Sequence, residues 1–258
     1  MRRHFVITFV IWFVLTAVGE SLALLNLFPT VGSTEAGDFD RIFRLLLQMG
    51  TPVFTFVLAV LFYSFYAFRS RGTPAEDGPA YRGTGSIPRV WIAVTGSLAA
   101  LTMIYPGLTG LADLQANKSG YGWGDPNAEF VIKVTAFRWA WSMEYVDAGV
   151  TVTSAKDPYL VLPINTPVRF EINSTDVVHS LWIPAFRMRI DTLPGRTTFM
   201  TVNPDKLGTY DDDQAFRVQC SALCGLNHAT MRFPIRVVSQ DDFQTWLASQ
   251  KPASQTAK

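Results

Sequence analysis

Three long apolar stretches constrain this chain more than any other feature. They cover residues 5–28, 45–68 and 90–112, and Glu20 is the only charged residue in any of them. A helix needs roughly 20 residues to cross a hydrocarbon core of about 30 Å, and each stretch reaches that length. Beyond them the chain reads as an ordinary water-soluble domain. The expected organisation is a transmembrane helical region over 1–114, an extracytoplasmic domain over 115–240, and a short helix and tail over 241–258.

Basic residues of short loops stay on the cytoplasmic side, which orients the spans. Arg2 and Arg3 precede the first, and Arg69, Arg71, Arg82 and Arg89 separate the second from the third. The loop between the first two carries Glu35, Asp38 and Asp40, with Arg41 and Arg44 at its far end. The N-terminus is therefore expected inside and the C-terminal domain outside, on a multi-pass protein of the cytoplasmic membrane. The first stretch also reads as a cleaved signal peptide, with Arg2 and Arg3 as its basic region and Ser21-Leu22-Ala23 as a poor cleavage site. Leu24, Leu25 and Leu27 continue past that site and favour a retained helix. Either way the outer domain stays on the same face.

From Glu129 onward apolar residues alternate at period two in short runs, at 130–134, 168–172, 197–202, 216–218 and 233–238. Breaks rich in Pro, Gly and Asn separate them, the pattern of an all-β sandwich or barrel. Ser239 and Asp242 form a capping-box pattern that opens a short helix containing Phe243, Trp246 and Leu247. The residues from Lys251 to Lys258 read as a disordered tail. Lys and Arg number 22 against 21 Asp and Glu, so the chain lacks the basic excess that nucleic-acid binding requires.

Both cysteines of the chain fall in one segment, CSALCGLNHATM at 220–231, between the last two expected strands. It holds Cys220, Cys224, His228 and Met231, and His179 is the only other histidine of the outer domain. Thiolate and thioether donors select copper before other metals. Two thiolates with three residues between them can each bridge two ions, with one imidazole terminating each. Met231 would then be a weak axial ligand on one ion, and the carbonyl of Ala222 could reach the other. Such a site has no open position for a substrate, which suits electron transfer. Two other readings stand beside it: a disulfide between Cys220 and Cys224, and a mononuclear zinc site of two Cys and two His that leaves Met231 unused.

The same residues carry a family resemblance. The loop CSALCGLNHATM, the segment STDVVHSLWIP around His179 and the run DTLPGR at 191–196 closely resemble subunit II of the haem-copper cytochrome c oxidases. The resemblance covers 129–238 well and the membrane part in outline. It implies a membrane-anchored all-β fold, with N-terminal transmembrane helices followed by a cupredoxin-like Greek-key barrel or sandwich that holds a binuclear Cu(A) centre. Cys220 and Cys224 would bridge the coppers, with His179 and Met231 completing one and His228 and the Ala222 carbonyl the other. The stretch FRWAWSMEY at 137–145 resembles the family's aromatic segment, in which the first Trp, here Trp139, is where electrons enter from cytochrome c. By pattern alone Trp139 and Trp141 read more readily as ordinary alternating strand residues, and the resemblance reverses that preference. Glu144 and Asp176 stand where the family places carboxylates that steer a c-type cytochrome, although basic and acidic residues balance from Gln115 onward.

The function implied is the electron-input subunit of a terminal oxidase, an oxidoreductase complex. It takes electrons from a c-type cytochrome and passes them to haem in subunit I, where oxygen is reduced to water. His4, before the first span, is the only histidine left over, so haem belongs on the partner chain. Three departures from the family pattern stand out. Ala222 replaces a Glu whose side chain helps hold magnesium, which puts magnesium in doubt. Pro88 stands three residues before Trp91, where typical members carry a Glu at the mouth of a proton path. The first span is extra. The first two departures suit an alternative, the Cu(A) subunit of a related nitric oxide reductase. A stand-alone copper-delivery protein is a further alternative.

Overall fold

The computed structural model describes residues 2–69, 72, 83–116, 120–121 and 130–250, which form two compact units. One comprises Met1–Leu27 and Arg41–Leu111, the other Phe28–Asp40 and Ala112–Lys258. Arg71, Arg82, Glu129 and the expected tail at 251–258 lie outside the described residues.

Helix α1 spans Arg2–Ala23, α2 Thr34–Ala67 and α3 Ser86–Thr102. Each apolar stretch forms a helix long enough to cross a membrane, the third continuing to Ala112. Neither α1 nor α3 buries a residue among its described neighbours, as expected of helices that are apolar all round and solvated by lipid. The helices depart from the apolar stretches at their ends. α1 stops at Ala23, five residues short, and α2 begins at Thr34, eleven residues early. Ser33 supplies the reason for the early start. Its hydroxyl accepts the amide of Ala36 at 3.2 Å, and Glu35 adds a carboxylate to the first turn, where the helix dipole favours it.

Within the first unit, polar groups of α1 meet α2 in pairs. The Trp12 indole donates to the Pro52 carbonyl at 2.8 Å, and the Thr16 and Thr55 hydroxyls lie 2.7 Å apart. A Cβ added at Gly19 would come within 2.6 Å of Thr51 Cγ2, so glycine permits this close approach. Beyond α3 the turn Met103–Leu108 departs from regular helix at Tyr105 (φ −133, ψ 120), because the residue before Pro106 is pushed to extended geometry. Helix α4 follows at Thr109–Ala116, two residues past the expected boundary.

The second unit is a β-sandwich. Its strands are β1 Gly120–Tyr121, β2 Phe130–Phe137, β3 Ala140–Tyr145, β4 Val150–Thr153, β5 Leu160–Pro163, β6 Val168–Ser174, β7 His179–Ile183, β8 Met188–Thr192, β9 Thr198–Val202, β10 Gly208–Thr209, β11 Arg217–Cys220 and β12 Arg232–Val238. One sheet runs β1-β9-β6-β2-β3-β4 and the other β10-β12-β11-β7-β8, with β5 also paired to β12. β2 with β6 and β5 with β12 are parallel, and the remaining pairs antiparallel. Side chains of both sheets share one core that includes Trp141, Tyr145, Phe170, Phe186, Phe216 and Phe233. The alternation predicted for 168–172 and 233–238 is the burial alternation of β6 and β12, inward residues packing and outward ones solvated.

Helix α5, Gln240–Gln250, follows β12. Ser239 caps it as its sequence predicts. The hydroxyl accepts the Asp242 amide at 3.2 Å and donates to the Asp242 carboxylate at 2.7 Å. Phe243 and Leu247 face the core from this helix.

Candidate metal centre

Three strands and one loop build the site. β11 ends at Cys220 and β12 begins at Arg232, so the loop that carries Cys224, His228 and Met231 closes a hairpin. His179 opens β7, the neighbour of β11, and the register pairs Cys220 with Leu181, two residues beyond His179. Backbone bonds pin the loop: Cys220 N–H donates to the Met231 carbonyl at 3.0 Å, Ser221 N–H to Ser180 at 2.9 Å and Met231 N–H to His228 at 3.2 Å.

The six groups singled out by sequence come together. Cys220 Sγ lies 3.7 Å from Cys224 Sγ and 3.8 Å from His179 Nδ1. Cys224 Sγ in turn lies 3.6 Å from His228 Nδ1 and 3.8 Å from Met231 Sδ. The Ala222 carbonyl oxygen is 3.2 Å from Cys220 Sγ, so it points into the cluster. His179, Cys220, Cys224 and Met231 are buried, while His228 and Ala222 are half-buried at the rim.

These donors fit a soft metal. Both cysteines are free thiols, and 3.7 Å is far beyond the roughly 2.05 Å of a disulfide. An ion about 2.3 Å from each sulfur would span that gap near the tetrahedral angle. A thioether beside the thiols adds a donor that suits copper and that zinc has no use for. Burial and the neighbouring Cys220 thiol push the Cys224 thiol up to about 12, so a metal must displace its proton.

Around the donors stands a shell that sequence reasoning only partly saw. His179 Nε2 lies 2.9 Å from Asp176 Oδ1, which leaves Nδ1 turned to Cys220. The other Asp176 oxygen accepts the Arg138 amide at 2.8 Å and the Arg138 guanidinium at 3.1 Å. Burial opposes ionisation of Asp176, yet the bonds from His179, the Val177 amide and Arg138 outweigh it and hold the carboxyl well below the usual carboxylate range. A carboxylate three residues before a candidate ligand was the available signal.

Arg138 and Trp139 form the two-residue turn between β2 and β3. Trp139 rests on the loop: a Cβ built at Gly225 would be 3.1 Å from its indole, and Gly225 has φ +122, open to glycine alone. Its neighbour in the motif behaves differently. Trp141 is fully buried, its ring centroid 6.2 Å from that of His179 and its Nε1 3.5 Å from the Met231 carbonyl. Glu144 is exposed on β3, opposite Lys133 and five residues beyond Trp139 in sequence.

A family profile described as "Cytochrome C oxidase subunit II, periplasmic domain" matches residues 148–239. The heme-copper oxidase subunit 2 of Aeropyrum pernix is 30% identical over 210 residues, covering 79% of this chain and 86% of the relative. The cytochrome c oxidase subunit 2 of Synechocystis is 26% identical over 290 residues, covering 96% and 83%. Among solved structures, the periplasmic domain of cytochrome oxidase subunit II from Bradyrhizobium japonicum is 33% identical, covers 48% of this chain and 95% of that one, and has a TM-score of 0.43. With its apolar helices and its outer β-domain carrying a cluster suited to copper, the chain belongs to the subunit II family of the haem-copper oxidases and is an electron-input subunit of that oxidoreductase complex.

Proposed function

We propose that the cluster holds the binuclear Cu(A) centre and receives electrons from a c-type cytochrome at Trp139. The observation that carries this reading is the line of donors, with two thiols 3.7 Å apart between imidazole nitrogens at 3.8 and 3.6 Å. Cys220 and Cys224 would bridge the ions, His179 and Met231 would complete one, and His228 with the Ala222 carbonyl the other. When bound, the copper pair would accept one electron at a time and release it to the haem of subunit I.

The chain's own residues prepare that transfer. A pinned loop moves little when the charge of the site changes. Asp176 accepts from His179 Nε2 and so keeps the Nδ1 lone pair toward the metal. The Trp139 indole in contact with Gly225 puts an aromatic system between the loop and a docked donor. Leu223 and Leu226, 86% and 91% exposed on the same loop, offer that donor an apolar face. Glu144 and Asp176 would contribute carboxylates to steering, which needs a local field rather than a net charge. Ala222 has no side-chain donor, so no magnesium ligand is assigned here.

In this reading the N-terminus lies on the cytoplasmic side of the cell membrane, the three long apolar helices within residues 1–114 span it, and the copper domain, with Phe28–Asp40, faces outward. The curated relatives matched above are named as oxidase subunits, and the nitric oxide alternative gains nothing from them. The native complex, given a reduced c-type cytochrome, should consume oxygen rapidly and nitric oxide poorly when both are followed side by side. The reverse preference would overturn the oxidase assignment.

A further inference from the structure

The segment between the first two apolar stretches reads in sequence as a polar loop, yet Phe28–Asp40, which ends in the first turns of α2, folds with the β-sandwich. These residues join its two sheets. On one side Gly32 N–H donates to the Ala185 carbonyl at 2.9 Å, in the turn after β7. On the other, Thr34 N–H donates to Asn203 at 3.1 Å and Asp205 N–H to Gly32 at 3.3 Å, just past β9. The Asn203 amide also donates to the Glu35 carboxylate at 3.1 and 3.2 Å. Ser33 and Ala36 are completely buried, and a Cβ at Gly32 would press within 3.0 Å of the Phe216 ring and 3.3 Å of Ala185.

Arg187 is the centre of this contact. Its guanidinium makes a two-pronged ion pair with Asp40, Nε to Oδ1 at 2.8 Å and Nη2 to Oδ2 at 2.8 Å, with both side chains over nine-tenths buried. The remaining donors reach the carbonyls of Thr30 at 3.2 Å, Pro184 at 2.7 Å and Pro29 at 2.6 Å. The backbone at Arg187 is left-handed (φ 55), a conformation that glycine adopts at no cost and a long side chain does not favour. Arginine is therefore placed here against the local backbone preference, and the use of every prong of the fork is the compensating gain. Such a buried pair is costly to break from one side, because the surviving charge is left without a partner.

We propose that Phe28–Asp40 is a strap that completes the outer domain, and that Arg187 and Asp40 are its latch. The strap fastens the turn after β7, the strand that opens at His179, to the end of β9 in the other sheet. The outer domain is thus closed by chain that runs up to and into the first turns of α2.

The two cysteines report on this directly, since they are the only thiols in the chain and both are buried. The rate at which an aromatic disulfide reagent labels them, in the metal-free full chain in detergent, reads how often the domain opens, whatever metal it binds. Arg187→Gly removes the latch while relieving the left-handed backbone, so a residue with no latching role would label more slowly or unchanged. The strap predicts labelling at least about tenfold faster, equivalent to about 1.4 kcal/mol of lost protection. Asp40→Asn should accelerate labelling similarly, and the double variant should label no faster than the faster single one, because one interaction is lost only once. Should the Arg187→Gly chain fail to accumulate, Asp40→Asn alone decides. Labelling of either variant at the unaltered rate, or a double variant whose effect is the product of the two, would overturn the latch.

Discussion

Asp176 Oδ1 stands 2.9 Å from His179 Nε2 while Nδ1 of the same ring faces Cys220 Sγ at 3.8 Å. One nitrogen is held by a carboxylate and the other is offered to the metal, the arrangement by which an outer partner fixes the tautomer and aim of a ligating imidazole. Asp176→Asn keeps an oxygen for the ring to donate to but removes the charge, and Asp176→Ala removes both. Copper affinity should fall by about tenfold to a hundredfold, more for Ala than for Asn. A copper titration in which Asp176→Ala binds as tightly as the parent would show that the contact positions nothing.

The same carboxylate carries a pH signature. Its pKa is lower in the folded chain than in the unfolded one, so its contribution is complete above the unfolded value of about 3.9 and is lost as pH falls below it. Acid unfolding followed by tryptophan fluorescence should therefore begin at higher pH for Asp176→Ala than for the parent, and the stability gap between the two should be full near neutrality and close as pH falls below the unfolded value.

If Cys220 and Cys224 bridge two ions and Met231 is a weaker ligand to one of them, removing a thiol and removing the thioether should have different consequences. Cys220→Ser or Cys224→Ser should abolish the binuclear spectrum. Met231→Leu should leave copper bound and shift the reduction potential, because an axial thioether tunes a site more than it holds it. Loss of metal from Met231→Leu would place Met231 among the primary ligands instead.

Trp139 and Trp141 are separated by one residue, and their environments predict different phenotypes. Trp139→Phe should slow electron transfer from reduced cytochrome in stopped-flow experiments and leave the copper spectrum intact, since the half-buried indole contacts the loop at Gly225 and is not one of the metal donors. Trp141→Phe should instead lower stability, through the core volume lost beside His179. Unchanged electron-transfer rates in Trp139→Phe would make it an ordinary turn residue.

Tyr145 anchors the core away from the metal. Its hydroxyl donates to the Val161 carbonyl at 2.8 Å and accepts the Val161 amide at 3.1 Å, serving the side of β5 that β12 does not pair. Tyr145→Phe should cost about 1–3 kcal/mol in chemical denaturation, because it strands two buried backbone groups. No change in the midpoint would mean that water reaches them.

The sequence spoke most clearly where one face of an element is buried and the other is wet. β6 and β12 alternate strictly, and their patterns placed them. β5 was silent because all four of its residues are buried and it ends on Pro163, which leaves no alternation to read. β7 escaped for a similar reason, its only half-buried residue being Trp182. The start of α2 was hidden by Asp38, Asp40, Arg41 and Arg44, charges that read as loop although Asp40 is turned inward to Arg187. The donor set was legible because two cysteines in a chain of this length fall four residues apart beside a histidine and a methionine. The grip of Asp176 on His179 depends on how a turn bends before β7, and the strap depends on long-range packing, neither of which local spacing records.

The most direct test of the copper assignment is electron paramagnetic resonance on the full chain loaded with copper, together with a count of copper per chain. The account predicts two coppers and a mixed-valence spectrum in which one unpaired electron is shared by both. One copper per chain with the signal of a single type 1 site would contradict it.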